Sequence, residues 1–269
     1  MNIYKSLLLL FAACAVLAAL VLGCAEDPEY WYDRAFEENN LDKKIELYTK
    51  AIEIKPDYTG AYNNRGIAYD RLKKYDEAVA DFTKAISLDP NYIMAYNNRG
   101  CVYKKQKRYE EAAGDFNRAI SINPTNSLAY YNRGILNRDQ KIFDEAIADF
   151  NRAIGINPND VNAYTALGRT YYMMKKYDKA MESVSIALKF SPRDPFALGL
   201  RSDLYRERGR YDDAMADIDR AISLYPDHAA FYYTRGLNRR VMGEMDKALE
   251  DFRKACDMGE ADACGELGK

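Results

Sequence analysis

The chain repeats itself every 34 residues. Residues 59–92 read TGAYNNRGIAYDRLKKYDEAVADFTKAISLDPNY, and a shift of 34 lands on residues 93–126, IMAYNNRGCVYKKQKRYEEAAGDFNRAISINPTN. A second shift reaches residues 127–160, SLAYYNRGILNRDQKIFDEAIADFNRAIGINPND. A fixed period of this length signals a solenoid whose unit, a helix–turn–helix, cannot bury its apolar face alone. Within one period the apolar and small residues fall at helical spacing in two stretches. Ala61, Tyr62, Ile67, Ala68 and Tyr69 place a first helix over about residues 60–73. Ala78, Val79, Phe82, Ala85 and Ile86 place a second over about 75–88. Gly66 and Ala78 leave no bulk where the two helices must touch, and Tyr62, Tyr69 and Phe82 fill what remains. A leucine forced into Ala112 should cost about 1–3 kcal/mol by overpacking. Asp89-Pro90 stops the second helix, because a residue before proline is driven out of the α region. Asp76 and Asp144 fall where a second helix begins and suit its positive end.

The positions Tyr62, Gly66, Tyr69, Ala78, Phe82, Ala85 and Pro90 recur as Tyr96, Gly100, Tyr103, Ala112, Phe116, Ala119 and Pro124. This pattern resembles the tetratricopeptide repeat. The resemblance implies an all-α, right-handed superhelical solenoid of about seven helix–turn–helix repeats, with the first helices lining a concave groove that binds protein segments. Residues 24–58 read as a degenerate first repeat, with Trp31-Tyr32 replacing the Arg-Gly pair and Lys44 replacing the small alanine. Residues 59–262 hold six further repeats, the sixth of the whole array with Ser202 in the glycine column. Residues 263–269 form a short C-terminal cap, and the last repeat has Glu260 where proline stands elsewhere. Terminal repeats are expected to be atypical, since one face meets solvent. Trp31 reads as a cap packed on the next repeat.

Residues 1–23 differ in kind. Lys5 is the one charged side chain before an uninterrupted apolar run at 6–23. That is the form of a secretory signal, and it is also long enough to be a retained membrane anchor. Val21-Leu22-Gly23-Cys24 resembles a bacterial lipoprotein processing site, which implies acylation of Cys24 and cleavage before it. An ordinary cleaved signal and an uncleaved anchor remain open. Several acyl chains would hold the protein firmly where one would not. The resemblance places the chain in a bacterial cell envelope, lipid-anchored and facing the periplasm. Ala25, where an aspartate would favour the inner membrane, points to the outer membrane.

Two further columns run through the array. Arg65, Arg99, Arg133, Arg201 and Arg235 each have an aspartate sixteen residues on, at Asp81, Asp115, Asp149, Asp217 and Asp251. The fifth repeat has Leu167 and Ser183 in these columns, and the first has Trp31 and Leu47. Residue types that come and go together predict a bidentate ion pair, within a repeat or across neighbours. The five cysteines sort by context. Cys14 lies in the apolar run, Cys24 at the processing site, and Cys101 where neighbouring repeats have isoleucine. Cys256 and Cys264 have a spacing that resembles the cysteine-bearing helix-pair repeats related to tetratricopeptide repeats, which implies a disulfide between them. An exported, oxidising compartment suits such a bond, and closing so short a loop should stabilise that end by about 2–3 kcal/mol.

Enzyme chemistry has no foothold in the pattern. The single histidine, His228, follows Pro226 in a turn with no cysteine or carboxylate cluster nearby in sequence. No phosphate-binding glycine loop and no metal-ligand spacing occurs, so neither cofactor nor metal nor small-molecule substrate is expected. A formal net charge of −2 also argues against a nucleic-acid binder. The candidate site is the groove, where Asn64, Asn98 and Asn132 recur once per repeat with Asn63 and Asn97 beside two of them and Tyr131 beside the third. An asparagine both donates and accepts, so a row of amides can bond the backbone of an extended peptide. It resembles the asparagine ladders of tetratricopeptide superhelices such as the glycosyltransferase that modifies serine and threonine. Lys104, Lys105 and Arg138 border the row and would favour an acidic or C-terminal segment, with Asp70 and Asp139 diluting that charge. The functional expectation is a non-catalytic envelope adaptor or scaffold for a protein or peptide partner. The alternatives are a self-assembling structural protein of the envelope, or an accessory subunit of an envelope enzyme complex.

Overall fold

The computed structural model of the chain describes residues 27–268. The apolar run, the expected processing site and Cys24 lie outside the described residues. The described residues form seven helix pairs and a short closing helix, with no strand among them. They divide into two compact units after Pro124. The first unit contains α1 (Pro28–Glu37), α2 (Leu41–Ile54), α3 (Thr59–Arg71), α4 (Tyr75–Leu88), α5 (Ile93–Lys105) and α6 (Tyr109–Ile122). The second contains α7 (Ser127–Asp139), α8 (Phe143–Ile156), α9 (Val161–Met173), α10 (Tyr177–Phe190), α11 (Pro195–Glu207), α12 (Tyr211–Leu224), α13 (Ala229–Val241), α14 (Met245–Asp257) and α15 (Ala261–Glu266). Within each unit, each helix packs on its pair partner and on the next pair.

The first helix of a repeat is shorter than its apolar pattern predicts. In the first full repeat it ends at Arg71, because Lys73 adopts a left-handed backbone with φ 60°. Lys73 then donates its amide to Asp70 at 2.9 Å, and Lys74 donates to Tyr69 at 2.9 Å. Both bonds satisfy carbonyls that the helix end would otherwise orphan. The same column holds Lys107 in the first unit and Lys141, Lys175, Gly209 and Gly243 in the second, all at positive φ. Glycine is the ordinary residue for that conformation, and four lysines hide the turn from a sequence reader. At the far end of the repeat Asp89 is extended and the helix stops at Leu88, as the following proline demands. Asp76 and Asp144 lie in the first turns of their helices and complement the helix dipole.

The core is a contact between a glycine and a ring. A Cβ added to Gly66 would lie 2.8 Å from the Phe82 ring, and one added to Gly100 would lie 2.6 Å from Phe116. In the second unit Gly134 faces Phe150 and Gly236 faces Phe252 in the same way. Each of these rings is essentially fully buried, together with Ala78, Ala112, Ala146 and Ala248. Where the glycine column changes, so does its partner. Ser202 is buried, donates to the carbonyl of Ala214 at 2.8 Å, and its repeat has Ile218 in place of phenylalanine.

The arginine–aspartate columns close within a repeat. Arg65 donates to Asp81 through Nε and Nη2, both at 2.8 Å. Arg99–Asp115 has the same fork in the first unit, and Arg133–Asp149, Arg201–Asp217 and Arg235–Asp251 have it in the second. The remaining Nη1 reaches back to the preceding second helix. Arg65 donates to Thr49 at 2.9 Å, Arg99 to Thr83 at 2.8 Å and Arg235 to Asp219 at 2.8 Å. One guanidinium therefore ties three helices at fixed geometry. Burial outweighs Arg65 in setting the Asp81 carboxyl, which sits above the usual carboxylate range. Desolvation offsets much of what such a pair gains from its charges, and the fifth repeat does without it, with Leu167 and Ser183 in the two columns. At the C-terminal end a disulfide joins Cys256 on α14 to Cys264 on α15, with Cα atoms 4.8 Å apart.

Gly100→Ala should cost about 1–3 kcal/mol by overpacking, while Gly114→Ala, exposed in α6 with no atom near its Cβ, should gain about 0.5–1 kcal/mol from helix propensity. Arg65→Leu alone should cost about 3 kcal/mol by stranding a buried carboxylate, and Arg65→Leu with Asp81→Ser should recover most of it. Urea denaturation of the four variants measures both.

Candidate functional site

First helices of successive pairs touch side by side within each unit. In the first unit α3 lies against α5, and in the second α7 lies against α9, α9 against α11 and α11 against α13. Equivalent residues of these helices therefore form rows on one face.

On the first unit the rows bring three of the expected asparagines into a relay that ends on Tyr32, a residue outside the expected set. Asn98 Nδ2 donates to Asn63 Oδ1 at 2.9 Å, Asn63 Nδ2 donates to Asn64 Oδ1 at 3.1 Å, and Asn64 Nδ2 donates to the Tyr32 hydroxyl at 2.8 Å. Asn63 is fully buried, whereas Asn64 and Asn98 are half-buried. The buried Asn97 has an Oδ1 with no hydrogen-bond partner. Tyr32 is itself fixed, stacked on Tyr58 at 4.9 Å and tilted against Tyr48 at 5.5 Å. Burial pushes the Tyr48 hydroxyl up to about 12, with Asn64 acting the other way. Trp31 packs in the same aromatic end of the first unit, with the Lys50 ammonium 4.4 Å from its ring centre. Asn64 also borders a small hollow of about 190 Å³ with Phe36, Leu41, Lys44, Tyr48, Ile67 and Arg71. Lys105 donates to both oxygens of Asp70 at 2.7 Å, so its charge is matched by the neighbouring repeat. Lys104 is half-buried.

Tyr131, Asn132 and Arg138 belong to the second unit, where all three are half-buried. Tyr131 and Arg138 line a groove of about 310 Å³ with Ile135, Thr165, Arg169 and Phe196. Arg169 and Phe196 also border a second hollow of about 360 Å³ further along the same face. Its floor is a polar cluster around the buried Asp203, which accepts from Arg169 at 3.1 Å, Arg206 at 2.9 Å and Thr234 at 3.4 Å. Arg206 also donates to Tyr172 and Asn238, and Asn238 donates to Ser202 at 2.9 Å. Burial, and then the Asp203 charge, push the Tyr172 hydroxyl up to about 12. His228 stacks on Phe231 at 4.3 Å, with Phe196 edge-on to the imidazole at 5.2 Å. Glu260 and Asp262 complete the wall.

Sequence reading places His228 in an isolated turn, whereas the fold sets it among Phe196, Phe231 and Glu260. The signal that finds such neighbours is the period itself. Bonds between adjacent first helices join residues about one period apart, as in Asp70–Lys105, Asn63–Asn98, Arg169–Asp203 and Tyr172–Glu207. Tyr32 escaped notice because it stands in the degenerate repeat. Among the described residues no group of three or more side chains converges to hold a metal, and no helix is long and apolar enough to cross a membrane.

Paired helices stacked in register, with rows of polar residues on one face, define a helical-repeat protein. Tetratricopeptide repeat family profiles match residues 60–92, 93–126, 127–160, 150–182 and 200–263, and the chain belongs to that family. Tetratricopeptide repeat proteins are protein-interaction scaffolds. A tetratricopeptide repeat protein from Parabacteroides merdae is similar in structure, with a TM-score of 0.74 and 26% identity over 89% of this chain and 96% of that one. YrrB, described as a tetratricopeptide repeat protein with an unusual peptide-binding site, is similar with a TM-score of 0.50 and 25% identity over 71% of this chain and 98% of that one. PilF of Pseudomonas aeruginosa shares the fold at 20% identity, with a TM-score of 0.63, over 76% of this chain and 92% of that one. In sequence, an uncharacterized protein of Methanocaldococcus jannaschii is 38% identical over 53 residues, which span 19% of this chain and 62% of that relative's length.

Because His228 is the only histidine, its titration can be followed without assignment by proton NMR. Burial holds its pKa below the usual 6.5, while the Glu260 charge raises it and the Arg169 charge lowers it. The midpoint should therefore lie below 6.5 and fall further in Glu260→Gln. Between the unfolded and folded values the unfolded chain binds more protons, so acidification through that window should reduce stability.

Proposed function

We propose that this chain is a non-catalytic adaptor, tethered to a bacterial cell envelope through acyl groups on Cys24 and facing the periplasm, preferentially at the outer membrane. Its first-helix face holds an extended segment of another protein. Asn63, Asn64, Asn97, Asn98, Lys104 and Lys105 serve this role on the first unit, and Tyr131, Asn132 and Arg138 on the second. Membership of a scaffold family supports the binding role, and YrrB offers a precedent for a peptide site on a related chain. The sequence around Cys24 supports the anchor.

The observation that carries the reading is the amide relay. Each bond from Asn98 to Tyr32 uses one hydrogen of a primary amide and leaves the second free in principle. Asn64 and Asn98 therefore reach the surface in fixed rotamers, with donor capacity still unspent. A side chain already ordered loses less entropy when it bonds a ligand. Backbone recognition by such groups, added over several repeats, gives useful affinity without reading a particular sequence.

The test is photo-cross-linking in native membranes, with a photoreactive residue placed at the exposed Met94, one turn before Asn98 on α5, in the full chain. A discrete protein adduct is expected. It should disappear in competition with the wild-type chain, which carries the intact face, but persist against a competitor in which Asn64, Asn98 and Asn132 are alanine. Equal competition by the two chains would remove the amides from the site.

A further inference from the structure

The hollow on the second unit has a chemical character that the amide row lacks. It is bordered by α9, α11, α13 and the segment leading into α15. Gly199 stands in the column that holds Asn63, Asn97, Tyr131, Thr165 and Tyr233 in other repeats. With no side chain there, the buried Phe231 ring packs against the helix backbone, where a Cβ at Gly199 would approach it to 3.0 Å, and Phe196 is the exposed ring of the hollow. Phe196, His228 and Phe231 form one aromatic cluster, with ring centres 4.3–5.8 Å apart.

The charges divide by wall. Arg169 and Arg206 are both committed to Asp203, and Arg206 is further held by Tyr172 and Asn238. On the facing wall Glu260 and Asp262 have no ion-pair partner among the described residues. Two arginines stand against three carboxylates, so the lining has an excess of one negative charge. That excess lies beside aromatic faces, whose quadrupole attracts cations. An anionic ligand would meet the unpaired carboxylates, and a purely apolar one would strip their water without replacing it. The absence of any convergent metal-ligand group among the described residues favours an organic cation over a metal ion. The acidic wall is also held in place. Glu260 donates its amide to the Ala255 carbonyl at 2.9 Å, the Cys256–Cys264 disulfide brackets both carboxylates, and Arg240 pairs with Glu266 beyond them.

We propose that this hollow receives a lysine or arginine side chain of a partner segment, packed on the exposed ring of Phe196 and paired with Glu260 and Asp262. The assignment extends the adaptor reading to a second site made of different residues. A guanidinium suits it best, because its planar fork matches carboxylates and its face stacks on rings. An adaptor with this site selects partners by a basic residue, in addition to any backbone contacts made elsewhere.

The test uses the purified full chain in detergent and three capped nonapeptides of alternating Gly and Ser, with Arg-Leu-Arg, Ala-Leu-Ala or Glu-Leu-Glu at the centre. Binding is read from fluorescence polarisation and from the His228 proton resonance. The arginine peptide is expected to bind at least tenfold more tightly than the other two and to shift the His228 signal. Glu260→Gln with Asp262→Asn should weaken that binding at least tenfold, with helical content unchanged by circular dichroism. Asn64→Ala with Asn98→Ala should leave it within twofold, which separates this site from the amide row. No preference for the arginine peptide, no binding up to millimolar concentration, or undiminished binding in the Glu260/Asp262 variant would each overturn the assignment.

Discussion

Everything in this fold depends on how closely two helices of one pair can approach. The glycines at 66, 100, 134 and 236 let a phenylalanine ring lie directly against helix backbone. A methyl group in that position would sit inside the ring's van der Waals envelope, and interiors packed to crystal density have no slack to accommodate it. Once the pair is closed at that distance, its outer surface is a defined ridge, and the next pair has a single way to seat. The fifth repeat keeps glycine at 168 with Val184 in the ring's column, and its close neighbour there is Leu200. Where serine takes the glycine position at 202, isoleucine takes the ring's place at 218, so the space remains filled without collision.

Polar residues are then used for two different purposes. The arginine–aspartate forks sit at the border of the core, where an unsatisfied charge would be costly, and they fix the rotation of one helix against its partner. The rows on the first-helix face are looser in purpose. The relay from Asn98 to Tyr32 and the cluster around Asp203 both leave polar groups at the surface in ordered positions. Such ordering has little to contribute to folding that a well-packed apolar residue could not match. It is the kind of arrangement that binding requires.

Much of this was legible before any coordinates. The period gave the helix pairs, the proline gave the end of the second helix, and the paired comings and goings of arginine and aspartate gave the ion pair. The structure closes the bidentate fork within the repeat and turns the remaining Nη1 of Arg65, Arg99 and Arg235 to the repeat before. Three things were hidden. The left-handed turns at Lys73, Lys107, Lys141 and Lys175 bear a residue with no preference for that backbone. Tyr32 ends the relay from inside a repeat whose pattern is degraded. The hollow containing His228 draws Arg169, Phe196 and Glu260 from three separate repeats, and no local window of sequence contains them together. The division after Pro124 also has no mark in the repeat pattern, which runs through it unbroken.

The reach-back bond has a consequence for how such a chain can change length. Arg65 and Arg99 each look sixteen residues forward to an aspartate and sixteen residues back to a threonine, Thr49 and Thr83 respectively. Excise residues 59–92 as a block, and Arg99 inherits Thr49 in place of Thr83, with every spacing preserved. Duplicate the same block, and the copied Arg65 finds Thr83 sixteen residues behind it, as Arg99 does now. This tie between neighbouring repeats therefore survives the gain or loss of a whole copy, whereas a contact such as Lys105–Asp70 does not, because excision would set Phe36 in the place of Asp70.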